Sequence, residues 1–311
     1  MEFGYLHANY ARAFTAFGSA CYLPASQGWI LKRAIPGSNL CDAMGCYPLF
    51  ACRNWPKLAE DLPQLAEDLV SLTIVTDPLG GYELADLRTA FPDLMRPFKE
   101  HFIVDLQQPL SESISAHHRR NIRQALSQVG VERCAPSTAF DEWVTLYNHL
   151  IQRHEITGIA AFSRASFAAQ WQVPGLTVFR ALHQGETVGM TLWYQEEDRV
   201  YYHLAAYSPR GYELKASYAL FHQAIEYFSC TGVRWMALGA GAGIHNDGSD
   251  GLTRFKRGWA TETRPVYLCG RIFNPQAYAL LAEASDAHNS SFFPAYRQPA
   301  ATAHLVRRHV A

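Results

Sequence analysis

No C-x-x-C pair occurs among the seven cysteines (Cys21, Cys41, Cys46, Cys52, Cys134, Cys230, Cys269). An odd number of thiols without paired spacing argues against a disulfide framework and a zinc knuckle, and fits reduced side chains in a cytoplasmic protein. No apolar run approaches the length of a membrane span. Ala13 to Cys21 is short and lacks a basic region before it, so it does not read as a lipoprotein signal. Charge of either sign is not in excess: 27 basic side chains stand against 28 acidic ones. No global field therefore draws the chain to nucleic acid or membrane, and any polyanion site must be local. No Gly-Lys-Ser/Thr follows the glycine run Gly239–Gly243, which excludes a Walker loop. A Ser-His-Asp or Cys-His signature is also missing.

What is present is a globular composition, 49% hydrophobic and 18% charged over 311 residues, enough for two ordinary domains. The stretch from Arg199 to Ile272 organises the rest. A β-rich run (Val200 to Tyr207) meets a Pro/Gly turn (Pro209 to Gly211), then a helix, a Gly-rich turn and a strand beginning near Val233. Leu220, Phe221, Ala224, Ile225 and Phe228 fall on one helical stripe, with Ser217 in the first turn and Gly232 beyond the end. In α/β proteins a strand handing over to a helix is where backbone N–H groups receive an anionic or polar ligand.

Taken in order, the chain reads as an opening helix over residues 1 to about 20, then a hairpin of Trp29–Ala34 and Tyr47–Cys52 around Pro36–Asn39. Trp55, Leu58, Leu62, Leu65 and Leu69 share a helical face, with Pro56 at its start and Pro63 as a kink or restart. The twin LAEDL segments are amphipathic spacing and not a solenoid repeat. Leu72–Thr76 and Phe102–Leu106 are strand candidates. Pro109 to Gln128 reads as one helix, with Ile114, His118, Ile122, Ala125 and Leu126 inside. Its Arg119, Arg120 and Arg123 form either a phosphate-facing patch or an ordinary solvated face. Val131–Ala135 then forms a strand, and Phe140, Trp143, Val144, Tyr147, Leu150 and Ile151 mark an amphipathic helix. A short helix is expected near Ser166–Trp171. The runs 176–182, 187–194 and 199–207 form an antiparallel meander. A helix near 214–229, a strand near 233–239, a helical segment near 252–259 and a strand over 265–273 complete the expected core. A helix and tail over 274–311 follow.

This order, together with the RRNIRQAL helix, the segment AAYSPRGYELKASYALFHQAIEYFSCTGVRWMALGAG and the late GLTRFKRGW, resembles the GNAT acyltransferase superfamily. It looks most like the Fem branch, the peptidoglycan-bridge aminoacyltransferases that pair two GNAT-like domains. The resemblance covers the second half by residues and the first half by architecture. It implies an α/β (α+β) fold of tandem GNAT-like domains, each a mixed, mostly antiparallel sheet flanked by helices. The corresponding divisions are an N-terminal domain over 1–107, a connecting helix over 108–130 and an acyltransferase domain over 131–311.

The implied activity is N-acyl transfer from a thioester, acyl-CoA or acyl carrier protein, to an amine of a peptide or small molecule. Direct attack needs a proton acceptor, a polarised carbonyl and aligned reactants, and no obligatory nucleophilic side chain. Phe255 and Lys256 match the Phe-Lys pair of Fem ligases, whose lysine is proposed to stabilise the reacting carbonyl; the alternative is a surface lysine in the basic run Arg254, Lys256, Arg257. His203, mid-strand, is the candidate base, and Tyr207 the candidate donor to the leaving group. The acyl-CoA contact region of GNAT proteins maps onto Ala205, Ala206, Ser208, Arg210, Gly211, Lys215 and Ser217. Here Ser208 and Glu213 depart from the Q/R-x-x-G-x-G/A pattern, and a carboxylate facing a diphosphate is unfavourable. That departure raises the standing of an aminoacyl-tRNA or a carrier-bound acyl chain as donor. Asp42 and Asp77 are candidates for binding the acceptor amine, or each fixes a turn. His245-x-Asp247 is too sparse for a metal site, so no metal is expected. The alternatives are a Fem-type aminoacyl-tRNA-dependent enzyme acting on a cell-wall precursor and a catalytically silent GNAT-like binding module.

Overall fold

Gln184 and Gly185 both take positive φ, 53° and 84°, the left-handed pair that lets a two-residue turn follow the twist of its strands. The meander expected around them is present. The computed structural model describes residues 2–109, 114–242, 250–287 and 290–298. Two compact units divide the chain. A terminal unit holds Tyr5–Lys99 and the stretch from Pro265, and a central unit holds Glu100–Arg264 with the residues up to Gly4. These bounds differ from the sequence-based division: the helix expected as a connector lies inside the central unit, and the stretch from Pro265 belongs with the first hundred residues.

The terminal unit runs through α1 (Ala8–Arg12), β1 (Ser19–Leu23), β2 (Gly28–Ala34), β3 (Cys41–Gly45), α2 (Leu58–Leu65), β4 (Ser71–Val75), α3 (Leu84–Ala90) and the start of β5 (Leu94–Asp105). The central unit continues with α4 (Ala116–Leu126), β6 (Gly130–Cys134), α5 (Pro136–His154), α6 (Arg164–Trp171), β7 (Leu176–His183), β8 (Glu186–Glu196), β9 (Arg199–Tyr207), α7 (Pro209–Glu213), α8 (Ala216–Ser229), β10 (Trp235–Gly239) and α9 (Gly251–Arg257). The chain then returns through β11 (Glu262–Ile272) to α10 (Pro275–Ala284).

In the terminal unit the strand order is β1-β2-β3-β4-β11, antiparallel except for the parallel pair β3/β4. In the central unit it is β6-β7-β8-β9-β10-β5, antiparallel except for the parallel pair β9/β10. Each parallel pair needs a crossover, supplied by α2 and α8 respectively.

The apolar stripe of α8 is where periodicity placed it. Leu220, Phe221, Ala224, Ile225 and Phe228 are buried together with Phe179, Trp193, Met236 and Leu238. Each large apolar side chain so buried contributes about 1.5–3 kcal/mol. A separate core of Leu23, Ile30, Phe50, Trp55, Leu62, Leu72 and Ile74 fills the terminal unit.

Local details differ from expectation where tertiary pairing outweighs local pattern. The partner of β2 is Cys41–Gly45 and not Tyr47–Cys52, although its Cys-Asp-Ala-Met-Gly sequence is poor in strand formers. The opening helix is short, and Leu69 lies beyond the end of α2. Ser115 starts α4 by accepting a hydrogen bond from His118 N at 3.2 Å, later than the helix start expected at Pro109. Leu126, expected inside, is exposed. The helix α3, not anticipated, opens with a reciprocal capping box between Glu83 and Asp86.

Candidate functional site

The parallel pairing of β9 with β10 is brief. It joins Arg199–Tyr201 to Trp235–Ala237, after which β9 continues along β8 to Tyr207 while β10 ends at Gly239. Beyond Tyr201 the two strands therefore part, and among the described residues no ladder closes the backbone between them. Lys256 of α9 stands at this opening. Its Nζ donates to Ala240 O at 2.7 Å and lies 5.4 Å from the ring centroid of Tyr202, within range of a cation–π attraction. The side chain is 5% exposed. Gly239 adopts φ 76°, and a Cβ there would lie 3.2 Å from the Lys256 ammonium, so glycine serves both the turn and the space.

The sequence holds Lys256 there by ordinary helix chemistry. Asp250 caps α9, accepting from Thr253 N at 2.9 Å and from Thr253 Oγ1 at 2.6 Å. Burial acts to raise the Asp250 carboxyl pKa, but these hydrogen bonds outweigh it and hold it below its ordinary value. Phe255 packs on Tyr218 and Phe221 at 5.0 and 4.8 Å, and its carbonyl bonds His118 Nε2 at 2.8 Å. A fixed ammonium in a poorly hydrated opening favours negative charge developing on a carbonyl oxygen.

Residues 113–257 match the acetyltransferase (GNAT) domain family. The chain carries a GNAT acyltransferase domain. The fold agrees over nearly the whole chain with the crystal structure of FemX, at TM-score 0.63 and 13% identity, covering 88% of this chain and 93% of FemX. A C-terminal domain described as that of a lysylphosphatidylglycerol synthetase from Agrobacterium fabrum gives TM-score 0.63 at 16% identity and covers 92% of both chains. The L-PGS structure from Bacillus licheniformis gives 0.56 at 16% identity, covering 88% of this chain and 95% of that one. No curated protein matches by sequence.

Within the GNAT domain, His203 is not placed as a base. It is the extra residue where the β8/β9 register shifts between Leu192↔Leu204 and Trp193↔Tyr202, a bulge. Its ring lies beside Tyr194 at 4.8 Å, and Nε2 is 2.9 Å from Gln170 Oε1. Burial pushes its pKa down to about 3, so at neutral pH it is uncharged and too weak a base to deprotonate an ammonium. It is a packed core histidine. Tyr207 is half-buried with its ring 5.4 Å from that of Tyr212. Burial raises its pKa well above the ordinary phenol value, so it stays protonated.

The turn expected to cradle a diphosphate is occupied by its own side chains. Ser208 Oγ accepts from Gly211 N at 3.1 Å, and Ser208 O accepts from Tyr212 N at 3.1 Å. Arg210 pairs with Glu213 at 2.7 Å. Lys215, at φ 56°, donates to Asn121 Oδ1 and Gln124 Oε1, both at 2.9 Å. Gly211 is required by the sheet: a Cβ there would lie 1.9 Å from Val188 O. Ala205 and Ala206 are buried in β9, and Ser217 is half-buried in the first turn of α8.

The acidic candidates belong to the terminal unit. Asp42 is fully buried and accepts from Arg33 Nε at 3.0 Å and from Arg297 Nε and Nη2 at 2.8 and 3.0 Å. This is an internal clamp and not a site open to an amine. Asp77, also buried, accepts from Leu79 N at 2.9 Å, the turn-fixing geometry of an Asx motif. His245 and Asp247 lie outside the described residues. Among the described residues no group of His, Cys, Asp and Glu can hold a metal ion, and no helix is long and apolar enough to cross a membrane.

Sequence reading did not single out Tyr202, Ala240 and Gln170. Tyr202 was visible by strand alternation as the face opposite His203; the other two meet their partners only through tertiary packing.

Proposed function

We propose that the GNAT domain transfers an acyl group to an amine by direct attack, with Lys256 as the cation facing the reacting carbonyl. The position of Lys256 between Tyr202 of β9 and the Gly239–Ala240 end of β10 carries this reading. Attack by the neutral amine forms the C–N bond and places negative charge on the carbonyl oxygen, which the ammonium stabilises. As the bond from the carbonyl carbon to the carrier breaks, the carrier oxygen or sulfur leaves with the proton given up by the amine.

We infer further that the donor is an aminoacyl-tRNA, as in the Fem enzymes the sequence resembles. A free CoA diphosphate would have to displace the Ser208 cap and the Arg210–Glu213 pair. By contrast α4 and α9, joined through His118 and Phe255, leave Arg120, Arg123, Arg254 and Arg257 exposed. None of the four has an ion pair among the described residues, and residues 114–128 and 251–260 contain no acidic side chain. A local basic face on a neutral protein suits a polyanion.

The test is binding of charged tRNA as a function of salt, beside thermal shift with acyl-CoAs. The expected result is salt-sensitive tRNA binding whose log K against log salt slope falls by about one for each of Arg120→Gln and Arg123→Gln. Stabilisation by acyl-CoA with no salt-sensitive tRNA binding would replace this donor with free CoA.

A further inference from the structure

A second constellation lies where the C-terminal end of α5 meets the end of β9 and the α7 turn. His149, Gln152 and Arg153 repeat at i, i+3 and i+4 on the last turns of α5, so they share one face. With Tyr207, Pro209 and Tyr212 they line a cavity of about 310 Å³, at the small end of the range of ligand pockets. Arg153 stacks over Tyr212 with its guanidinium carbon 4.3 Å from the ring centroid, and Tyr212 in turn meets Tyr207 edge-on at 5.4 Å. Stacking fixes the plane of the guanidinium while leaving its N–H donors for another partner.

The chemistry of the lining has one sign. A guanidinium, an imidazole, an amide and two phenols converge on the cavity, and none of its lining side chains is acidic. Among the described residues the side chains of His149, Gln152 and Arg153 make no hydrogen bond or ion pair to protein. The phenol of Tyr207 stays protonated because burial raises its pKa, and burial likewise raises that of Tyr212. Both are therefore hydrogen-bond donors at neutral pH. A planar guanidinium beside several neutral donors is the arrangement that receives a carboxylate or a phosphate.

We propose that this cavity is an anion-binding site that takes a carboxylate or phosphate group of a small-molecule substrate. Five residues of strand separate Tyr202 from Tyr207, roughly 17 Å at strand rise. An anionic group held here therefore does not compete for the Lys256 ammonium, which stands beside Tyr202. The site stands on its own geometry and not on the identity of the donor.

The experiment is NMR of the His149 ring resonances, assigned by their loss in His149→Gln, during titration with inorganic phosphate and, separately, with acetate. A saturable shift is expected with at least one probe. Arg153→Gln is expected to weaken that probe at least about tenfold, the loss of one charge-assisted contact, while Arg120→Gln on the other basic face leaves it unchanged. A shift with phosphate alone assigns a phosphate-bearing ligand, and a shift with acetate alone assigns a carboxylate. No saturable shift with either probe, or equal affinity in Arg153→Gln, overturns the proposal. Because the readout is binding, it separates from any failure of acyl transfer.

Discussion

The β3/β4 and β9/β10 pairs are built alike and finished differently. Each is a parallel pair in an otherwise antiparallel set of described strands, and each is crossed by a helix. In the terminal unit the chain beyond β3 closes the pair. Phe50 N donates to Val75 O at 2.7 Å, Phe50 bridges Thr76, and a Cβ on Gly45 would lie 2.8 Å from that of Phe50. In the central unit the strands part after Tyr201, and the group at the opening is the Lys256 ammonium. One topology thus yields a sealed core in one place and a charged opening in the other. The difference lies in what the next stretch of chain delivers to the gap, an aromatic plug or a cation.

The buried charges follow the same division. Asp42 meets two arginines, so its charge is neutralised inside the fold. Lys256 meets a backbone carbonyl and an aromatic face, both of which stabilise an ammonium.

The largest expected effect tests that contrast on the sealed side. Asp42→Asn leaves Arg33 and Arg297 without their counter-charge and should cost about 3–5 kcal/mol in urea unfolding. A loss below 1 kcal/mol would show that the clamp is not structural. On the open side, Lys256→Met should lower single-turnover acyl transfer by about 10²–10³-fold while the urea midpoint stays near that of the parent chain. An unchanged rate would sink the assignment of Lys256, and no transfer by the parent chain would favour a silent binding module.

Gly211→Ala sharpens the reading of the α7 turn. Its Cβ would meet a backbone oxygen of β8, so a destabilisation of about 3 kcal/mol is expected without any ligand present. If stability held and only donor binding fell, the glycine would be there for a diphosphate.

His203 gives the smallest effect at neutral pH. Its folded pKa of about 3 lies below the unfolded value near 6.5, so the unfolded chain binds the extra proton between those values. The stabilisation is complete above pH 6.5 and is lost as pH falls toward 3, amounting to about 2 kcal/mol by pH 5. Parent and His203→Gln stability curves should diverge by that amount between pH 6.5 and 5, and the transfer rate should show no His203 limb. A limb near pH 6–7 that vanishes in His203→Gln would restore it as the base.

Where periodicity and turn chemistry agreed, the fold was legible in the chain. The meander, the α8 stripe and the α5 helix all repeat at a period set by backbone geometry, which a residue carries in its immediate neighbours. The strand at Cys41–Gly45 was not legible, because its stability comes from β2 on one side and from Arg297, more than two hundred residues away. The site divides the same way. Lys256 stood out through the Phe-Lys resemblance, whereas His203 looked basic in sequence and became a neutral core residue once Gln170 and Tyr194 closed over it.

By itself the sequence determined the order of strands and helices in the second half of the chain and the positions of its tight turns. It also placed the late basic run of Arg254, Lys256 and Arg257 in a helical segment, because those features rest on local propensity and spacing. Only the tertiary structure decided which charged groups are buried and against what, where β9 leaves β10, and that Arg153 and Tyr207 share a cavity. These depend on contacts between residues far apart in the chain, and burial, which sets the electrostatics of each group, exists only after those contacts form.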